Sequence, residues 1–315
     1  MKNQLPIIMI MALLTRNATG FLQTMSLLNS KSPNIRLNQA IKYRHQQQFG
    51  VKIKPSCDPL ISKSPKTRRR LSPLVELTSK EAKVVADIGC DHGLLSRALA
   101  KKDKKRQVVG TDISLEALQQ GAFQLPQLEN LSFREGPGLE PLLKENMAVD
   151  TVCIAGMGVN TMMNEILLKQ RAILQQIVCR QLVLQPTNNR PRNLVQIYQH
   201  LLQNLWQVEK ENMVYLSKRW YLTTSFVRCS SSPLSAVKGV DNVWPGDVLW
   251  HSSQNSLEQR ILYQQYAQHH VMWLKHDLKK RGGQQKRFLN PLDLQWLQEM
   301  RKANVLKSMH FDGLL

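Results

Sequence analysis

Acidic side chains are nearly absent from the first quarter of this 315-residue chain. Residues 1–75 hold thirteen Lys or Arg but a single acid, Asp58, so they carry +12 of the formal net charge of +20. Acid-poor beginnings rich in Arg and Ser are typical of organelle transit peptides. We therefore expect residues 1–73 to form a disordered or transit leader for a mitochondrion or a plastid. The alternatives are a basic tail on a cytoplasmic protein and, for Arg68–Arg70, a nuclear-targeting or RNA-binding patch.

Cysteine pairs and long hydrophobic runs are missing as well. The five cysteines include no C-x-x-C pair, so the sequence predicts neither a metal site nor a disulfide framework and favours a reducing compartment. The best apolar candidate, Pro6–Leu14, is much too short to cross a bilayer. We expect no membrane partner, and the sequence leaves open whether the chain is a monomer or a dimer.

Strand and helix patterns alternate from about Leu74 onward. Five short β-branched runs are each followed by a helical stretch, and two further strands come after them. This order predicts an α/β fold with a Rossmann-like, mostly parallel sheet, helices on both faces and an antiparallel pair at the end. The predicted strands are Val84–Ile88, Gln107–Asp112, Leu131–Arg134, Asp150–Ala155, Gln181–Gln185, Gln207–Leu216 and Trp220–Arg228, and one long helix is predicted over Thr161–Ile177.

Composition divides the rest of the chain into three segments. Residues 74–229 form the predicted α/β domain, residues 230–246, rich in Ser, Pro and Gly, a linker, and residues 247–315 a C-terminal helical region. In that last region we predict helices over Ser256–Lys280 and from Pro291 to about Met309. Polar residues interrupt the apolar stripe along the first of these helices. This interruption favours a packed helical hairpin over a long coiled coil.

The strongest functional signal is the segment VVADIGCDHG, Val84–Gly93. It places a glycine-rich turn between a strand and a helix, where the backbone can approach a cofactor closely and the helix start offers free N–H groups. Asp87 is expected near the cofactor's amino-acid end, and Asp112, at the end of the next strand, can accept both ribose hydroxyls. The predicted cofactor-binding residues are Asp87, Gly89, Cys90, Gly93, Asp112, Glu135, Gly136, Ala155 and Gly156.

These features favour the sheet of a class I S-adenosylmethionine methyltransferase. A nicotinamide enzyme would share the second acid but would require G-x-G-x-x-G, which the turn lacks. The predicted cofactor is therefore S-adenosyl-L-methionine.

Two motifs make the resemblance more specific. The turn carries Asp91-His92 in place of a middle glycine, and a later strand ends in IAGMG, Ile154–Gly158. In these motifs, and in LVLQPT at Leu182–Thr187, the chain resembles the TrmK family of bacterial-type tRNA methyltransferases over about residues 71–280. The resemblance implies methyl transfer to N1 of an adenine of the position-22 type in tRNA, with the C-terminal helices helping to hold the RNA. Moderate positive charge suits such a polyanionic partner.

Asp91, Met157 and Gln185 are the candidates for the chemistry at the target base. N1 of neutral adenine carries a free lone pair, so transfer requires in-line positioning and tolerance of the positive charge produced, rather than a strong base. Asp91 would stabilise that charge or orient the base; alternatively, it caps the following helix. Met157 would offer an adaptable apolar surface, and Gln185 would form a wall of the site.

Two polar neighbours of these candidates receive less specific predictions. His92 is expected to pack or hydrogen-bond rather than to act as an acid or base. The run Asn188–Arg192 would either contact phosphate or base, or form a solvated loop.

Several positions depart from the family pattern. GPGL, Gly136–Leu139, stands where the family has GDGL, so the acid expected to meet the cofactor's adenine amino group is absent, and Glu135 is the candidate to replace it. Val159 stands in place of a glycine, and Thr187 in place of an asparagine. The departures leave two alternatives open: a methyltransferase for another RNA or a small molecule, and a non-catalytic protein that binds S-adenosylmethionine or RNA.

Overall fold

The computed structural model describes residues 64–124, 126–187, 189–229, 243–252, 255–281 and 289–306. Most of the predicted leader, residues 1–63, and most of the predicted linker, residues 230–242, lie outside the described residues, and both remain predictions.

Seven strands form one mixed sheet. They are β1 (Val84–Ile88), β2 (Gln107–Asp112), β3 (Leu131–Glu135), β4 (Thr151–Ala155), β5 (Gln181–Gln185), β6 (Trp206–Leu216) and β7 (Arg219–Arg228). Their order is β3-β2-β1-β4-β5-β7-β6. Strands β1 to β5 pair in parallel, whereas β7 runs antiparallel to β5 and β6. This topology confirms the predicted Rossmann-like methyltransferase sheet with its antiparallel pair.

Helices flank the sheet on both sides. They are α1 (Pro65–Leu77), α2 (Leu94–Lys102), α3 (Leu115–Gln120), α4 (Glu140–Lys144), α5 (Val159–Thr161), α6 (Arg171–Gln176), α7 (Pro191–Gln203), α8 (Asp247–His251), α9 (Leu257–Arg281) and α10 (Pro291–Lys302). A 3₁₀ turn covers Ala122–Gln124, and a π-helical segment covers Met162–Leu168.

Alternate residues of each central strand face two separate hydrophobic cores, because successive side chains point to opposite faces of a sheet. Val183 of β5 packs with α1 and α2 in one core. Its neighbours Leu182 and Leu184 pack with the π-helical segment and α7 in the other. The sheet is therefore buried on both faces, as expected for parallel strands.

Helix α1 begins at Pro65, so the folded part starts earlier in the chain than the predicted boundary at residue 74. Its side chains Leu71, Leu74 and Val75 are buried in the core that also holds Val85 of β1. The Ser64 hydroxyl accepts a hydrogen bond from Thr67 N at 3.5 Å and caps the helix. The basic run Arg68–Arg70 therefore belongs to a packed helix.

The long helix predicted over Thr161–Ile177 is wrong in detail. The chain instead forms the short α5, the π-helical segment and α6, with a break at Lys169-Gln170. A π-helix bonds residues five apart and so places its side chains on a different face from a regular helix. At this break, the Gln170 side-chain oxygen accepts a hydrogen bond from the Leu139 amide at 2.6 Å.

The C-terminal helices pack against β6, β7 and α7 through one hydrophobic cluster, here called the C-terminal cluster. Its buried residues are Leu194, Val195, Met213, Leu222, Trp244, Leu249, Tyr263, Tyr266, Ala267, Val271, Leu274, Trp296, Leu297, Met300, Val305 and Leu306. This region confirms the predicted helical extension. In the described part of the chain, no helix combines the length and the apolar character needed to span a membrane.

Candidate functional site

A cavity of about 550 Å³ opens where β1, β2 and β4 end. The carboxyl ends of parallel strands share one edge of a sheet, and open α/β sheets bind ligands at that edge. Helix α1 and the π-helical segment supply further walls. Eight of the predicted site residues line this cavity: Asp87, Gly89, Cys90, Asp91, Asp112, Ala155, Gly156 and Met157.

The glycine turn after β1 is tied to β2. Both Gly89 N and Cys90 N donate to the Thr111 carbonyl, at 2.8 and 3.0 Å. Gly89 has a φ of +69°, and a β-carbon there would lie 2.2 Å from Cε of Met157. The positive φ favours glycine here, because residues with a side chain rarely adopt this backbone angle. The backbone of the turn is therefore bare where it meets the cavity.

Asp112 is held in place by two backbone amides. Asp91 N donates to Oδ2 at 2.8 Å, and Ser114 N donates to Oδ1 at 2.9 Å. Each carboxylate oxygen can accept a further hydrogen bond, so Asp112 can still receive two ribose hydroxyls. The next residue, Ile113, is 73% exposed and lines the cavity. It offers an apolar face for a purine beside the ribose position.

Asp87 is a buried carboxyl at the floor of the site. Burial raises its pKa to about 6; a hydrogen bond from Ser96 Oγ at 2.6 Å counters the rise, and the nearby charge of Asp112 adds to it. A cationic ligand group beside Asp87 would favour the charged carboxylate. The Asp87 carboxylate therefore fits the positively charged ammonium and sulfonium groups of S-adenosylmethionine. The glycine turn and Asp112 fit its nucleoside.

Asp91 does not cap the following helix. The N-cap of α2 is Gly93, and no side chain hydrogen-bonds there. The Asp91 side chain is instead 71% exposed at the cavity and lies 3.1 Å from Nδ1 of His92. Its φ of +50° is unusual for a residue other than glycine. The geometry removes the capping alternative and keeps Asp91 as a candidate for contact with the target base.

The IAGMG turn leaves open space at the end of β4. Gly156 has a φ of +79°, and the nearest atom to a β-carbon there would be Arg70 Nη1 at 4.0 Å. A β-carbon on Gly158 would meet no atom within 4 Å. Thr187 N donates to the Met157 carbonyl at 2.9 Å and ties the turn to the end of β5. The turn therefore leaves open space beside Met157.

Four predicted site residues do not line the cavity. Gln185 is 1% exposed, and its Nε2 donates to the Arg70 carbonyl at 2.8 Å and to Thr223 Oγ1 at 2.7 Å. The prediction of a direct catalytic role for Gln185 is therefore corrected: it is a positioning residue that anchors α1. Its alternation with Leu184 turns it toward α1 and away from the cavity.

The other three residues, Gly93, Gly136 and Glu135, lie next to the site but do not line the cavity. A β-carbon on Gly93 would lie 2.7 Å from the Phe133 ring, so this glycine allows α2 to pack close to β3. Gly136 N donates to the Asp112 carbonyl at 2.8 Å. Glu135 pairs in register with Asp112 but is absent from the residues that line the cavity. Their predicted direct contacts with a cofactor are not supported by this arrangement.

Sequence reasoning missed several residues that line the cavity. Arg70 extends from α1 toward Gly156, and Thr161, Glu165, Lys169 and Gln170 come from the segment after β4. The run Arg68–Arg70 was interpreted only as a possible targeting or RNA-binding signal. The segment after β4 was predicted as a regular helix, so the side chains that turn toward the cavity were not identified.

The described part of the polar loop after β5, residues 189–192, is not a solvated loop. Tyr266 OH donates to the Asn189 carbonyl at 2.6 Å, and the Arg190 guanidinium lies 4.6 Å from the centre of the Trp273 ring. Arg192 pairs with the buried Asp293 at 3.9 Å. These residues connect the loop to the C-terminal helices, whereas Asn188 lies outside the described residues.

Comparison with known proteins finds similarity to methyltransferases. A methyltransferase domain family matches residues 67–223. A protein of Mycoplasma genitalium, provisionally named a tRNA methyltransferase, is 30% identical over 148 residues, which are 47% of this chain and 63% of that protein. The chain thus covers less than two thirds of the length of the relatives it matches by sequence.

Two solved structures share the fold. A Streptococcus pneumoniae protein, provisionally named a tRNA (m1A22) methyltransferase and solved with S-adenosyl-L-methionine, has a TM-score of 0.54 at 18% identity, over 75% of this chain and 98% of that one. TrmK of Mycoplasma capricolum, solved with S-adenosyl-homocysteine, has a TM-score of 0.51 at 16% identity, over 76% and 95%. The likeness to these two structures shows a shared fold, and the methyltransferase domain model matches the part of the chain that forms it.

Proposed function

We propose that this protein transfers a methyl group from S-adenosyl-L-methionine to N1 of an adenine in tRNA, of the position-22 type. The observation that carries the proposal is one cavity that is lined both by Gly89 and Asp112, the nucleoside cradle, and by Gly156 and Met157, where the turn after β4 leaves open space. The relatives named above as tRNA methyltransferases support the same reaction.

In this proposal the chain's residues position the reactants and stabilise charge. Asp112 would hold the ribose and Asp87 would favour the cationic amino-acid end, while Met157 and the glycines beside it would receive the target adenine. S-adenosylmethionine supplies an electrophilic methyl group, and adenine N1 supplies the lone pair. Asp91 stands at the mouth of the same cavity, where its charge can offset the positive charge that forms on the base.

RNA binding is proposed on charge. Arg70 and Lys169 line the cavity, and Arg69 is exposed on the same helix as Arg70. Arg and Lys near the target base can contact the flanking phosphates, and such contacts make affinity fall steeply with salt.

The deciding experiment incubates the protein with labelled S-adenosylmethionine and total cellular tRNA, followed by nucleoside mass spectrometry. N1-methyladenine is the expected product. A tRNA transcript with adenine 22 and a matched transcript with guanine 22 then test the position. Label in another nucleoside would favour the alternative of a different RNA substrate. Cofactor binding without any methyl transfer would favour the non-catalytic alternative that Pro137 and Val159 suggest.

Asp91→Asn is expected to lower turnover by about 100-fold, the loss that follows removal of one electrostatic contact in a transition state. Asparagine tolerates the positive φ and removes only the charge. Affinity for S-adenosylmethionine should stay within about threefold, because Asp91 contacts the cofactor cradle through its backbone N–H. Steady-state kinetics and calorimetry measure the two quantities. The control His92→Asn, at the adjacent exposed position, should retain most activity; equal losses in both variants would contradict the assignment.

We also propose that residues 1–63 of the predicted leader direct the chain to a mitochondrion or a plastid. The support is the acid-free composition of residues 1–57. Residues 1–63 fused to a fluorescent protein should accumulate in the organelle, and the same fusion with Lys and Arg changed to Gln should not. Diffuse cytoplasmic fluorescence of the unmodified fusion would favour the cytoplasmic alternative.

A further inference from the structure

The loop after β3 has little hydrogen-bonding capacity left for a ligand, although Pro137 and Gly138 line the cavity. Proline has no N–H. Its carbonyl accepts from Gln170 Nε2 at 3.2 Å and from Glu140 N at 3.2 Å. The Gly138 carbonyl accepts from Thr111 Oγ1 at 2.8 Å. This wall therefore offers shape and apolar contact, and its carbonyl acceptors are already engaged.

Gln170 joins this loop to the segment that follows β4. Its side chain is 5% exposed, and a β-carbon on Gly138 would lie 2.5 Å from its Oε1. Its contacts with Pro137 and Leu139 bring the end of the π-helical segment beside the loop. The π-helical segment therefore ends beside Pro137, the position at which this chain lacks the acid of the family pattern.

Four carboxylates of the described residues line the cavity: Asp87, Asp91, Asp112 and Glu165. The first three belong to β1, the glycine turn and β2. Of the four, Glu165 is the one carried by the segment that contacts the loop after β3. Its side chain is 59% exposed, and its carboxylate pairs with Lys169 Nζ at 3.2 Å. It is therefore accessible to a ligand in the cavity.

We propose that Glu165 accepts a hydrogen bond from the 6-amino group of the cofactor's adenine, and so replaces the acid missing at position 137. This inference rests on the proposed use of S-adenosylmethionine. Ionised carboxylate accepts hydrogen bonds but cannot donate them. Glu165 would therefore select a purine with a 6-amino group and reject one with a 6-oxo group. The earlier candidate, Glu135, lies outside the lining residues.

The test compares two ligands by calorimetry, S-adenosylhomocysteine and S-inosylhomocysteine, which carries a 6-oxo group instead of the amine. The protein should prefer S-adenosylhomocysteine by about tenfold or more, the value of one hydrogen bond to a charged group. Glu165→Gln should abolish most of this preference, because an amide can both accept from an amine and donate to an oxo group. Lys169→Gln breaks the same ion pair but keeps the carboxylate, so it should keep the preference.

The outcomes separate this inference from the proposed function. If the unmodified protein binds neither ligand, the proposed cofactor fails, and the role of Glu165 fails with it. Binding of S-adenosylhomocysteine without preference over the inosyl ligand would overturn the inference alone. The same holds if Glu165→Gln keeps the full preference, or if Lys169→Gln loses it equally. Should Glu165→Gln fold poorly by thermal unfolding, Glu165→Ala at this exposed position serves as the second variant.

Discussion

Replacing Glu211 with alanine is expected to lower the free energy of unfolding by about 3 kcal/mol, because it leaves buried donors without an acceptor. Glu211 is 3% exposed, and its carboxylate accepts from Gly246 N at 2.7 Å and Leu249 N at 2.9 Å. Tyr198 OH also donates to it. One β6 side chain thereby joins the core of the sheet to the start of α8.

The measurement is urea unfolding followed by tryptophan fluorescence. Trp220, Trp244, Trp250, Trp273 and Trp296 all lie in or against the C-terminal cluster, so the signal reports that region directly. Glu258→Ala, an exposed acid on α9, is the control and should change stability by less than about 0.5 kcal/mol. Similar effects of the two substitutions would contradict the role given to Glu211.

Glu211 should also give stability a distinctive pH dependence. Burial raises its pKa from 4.5 to about 7, against the opposing effect of its hydrogen bonds. Between these values the folded state holds a proton that the unfolded state has lost, so stability falls as pH rises from about 4.5 to 7. Glu211→Gln removes this contribution. The difference in the free energy of unfolding between the unmodified protein and Glu211→Gln should therefore change as pH rises from about 4.5 to 7, and it should level off above pH 7.

Asp112→Ala is expected to weaken binding of S-adenosylhomocysteine by about 100-fold, since it removes an acceptor for two ribose hydroxyls and releases two backbone amides. The loss should appear in calorimetry as a higher Kd. A 2′-deoxyribose analogue of the ligand provides a second readout. The unmodified protein should bind it more weakly than the parent ligand, whereas Asp112→Ala should discriminate little between the two.

Glu116→Ala is the matched control for Asp112, because it removes a nearby acid of the same charge from the exposed side of α3. It should leave both affinities within about twofold. A large loss in Glu116→Ala would show that general electrostatics, rather than contact with the ribose, accounts for the result. An unchanged Kd in Asp112→Ala would remove Asp112 from the site.

The elements that follow from local chemistry could be predicted from the sequence. β-Branched runs ending at Gly89 and Asp112 gave the bounds of two central strands, and those bounds agree with the structure. The parallel order then placed Asp87, Asp112 and Gly156 at one edge of the sheet, where they line a single cavity. Such residues are predictable because their positions depend on strand ends and on backbone angles that favour glycine.

The residues that could not be predicted depend on packing between distant segments. Gln185 ends a strand as expected, but its direction depends on which face of the sheet α1 covers. Glu165 lines the cavity because the segment after β4 adopts π-helical geometry. Its composition alone does not distinguish that geometry from a regular helix. Arg70 lines the cavity because α1 packs against the sheet, and the sequence pattern does not indicate that packing.

Helix α1 restricts where proteolytic processing could remove a leader. A proteolytic cut after Arg70 would remove Ser64 and the first turn of α1. The rest of the helix, whose Leu71 and Leu74 are buried in the core, would lose its cap. The mature protein would then lose the Arg70 side chain from its cavity and the carbonyl that Gln185 holds. A mature amino terminus that keeps both the Ser64 cap and Arg70 must therefore lie at or before residue 64.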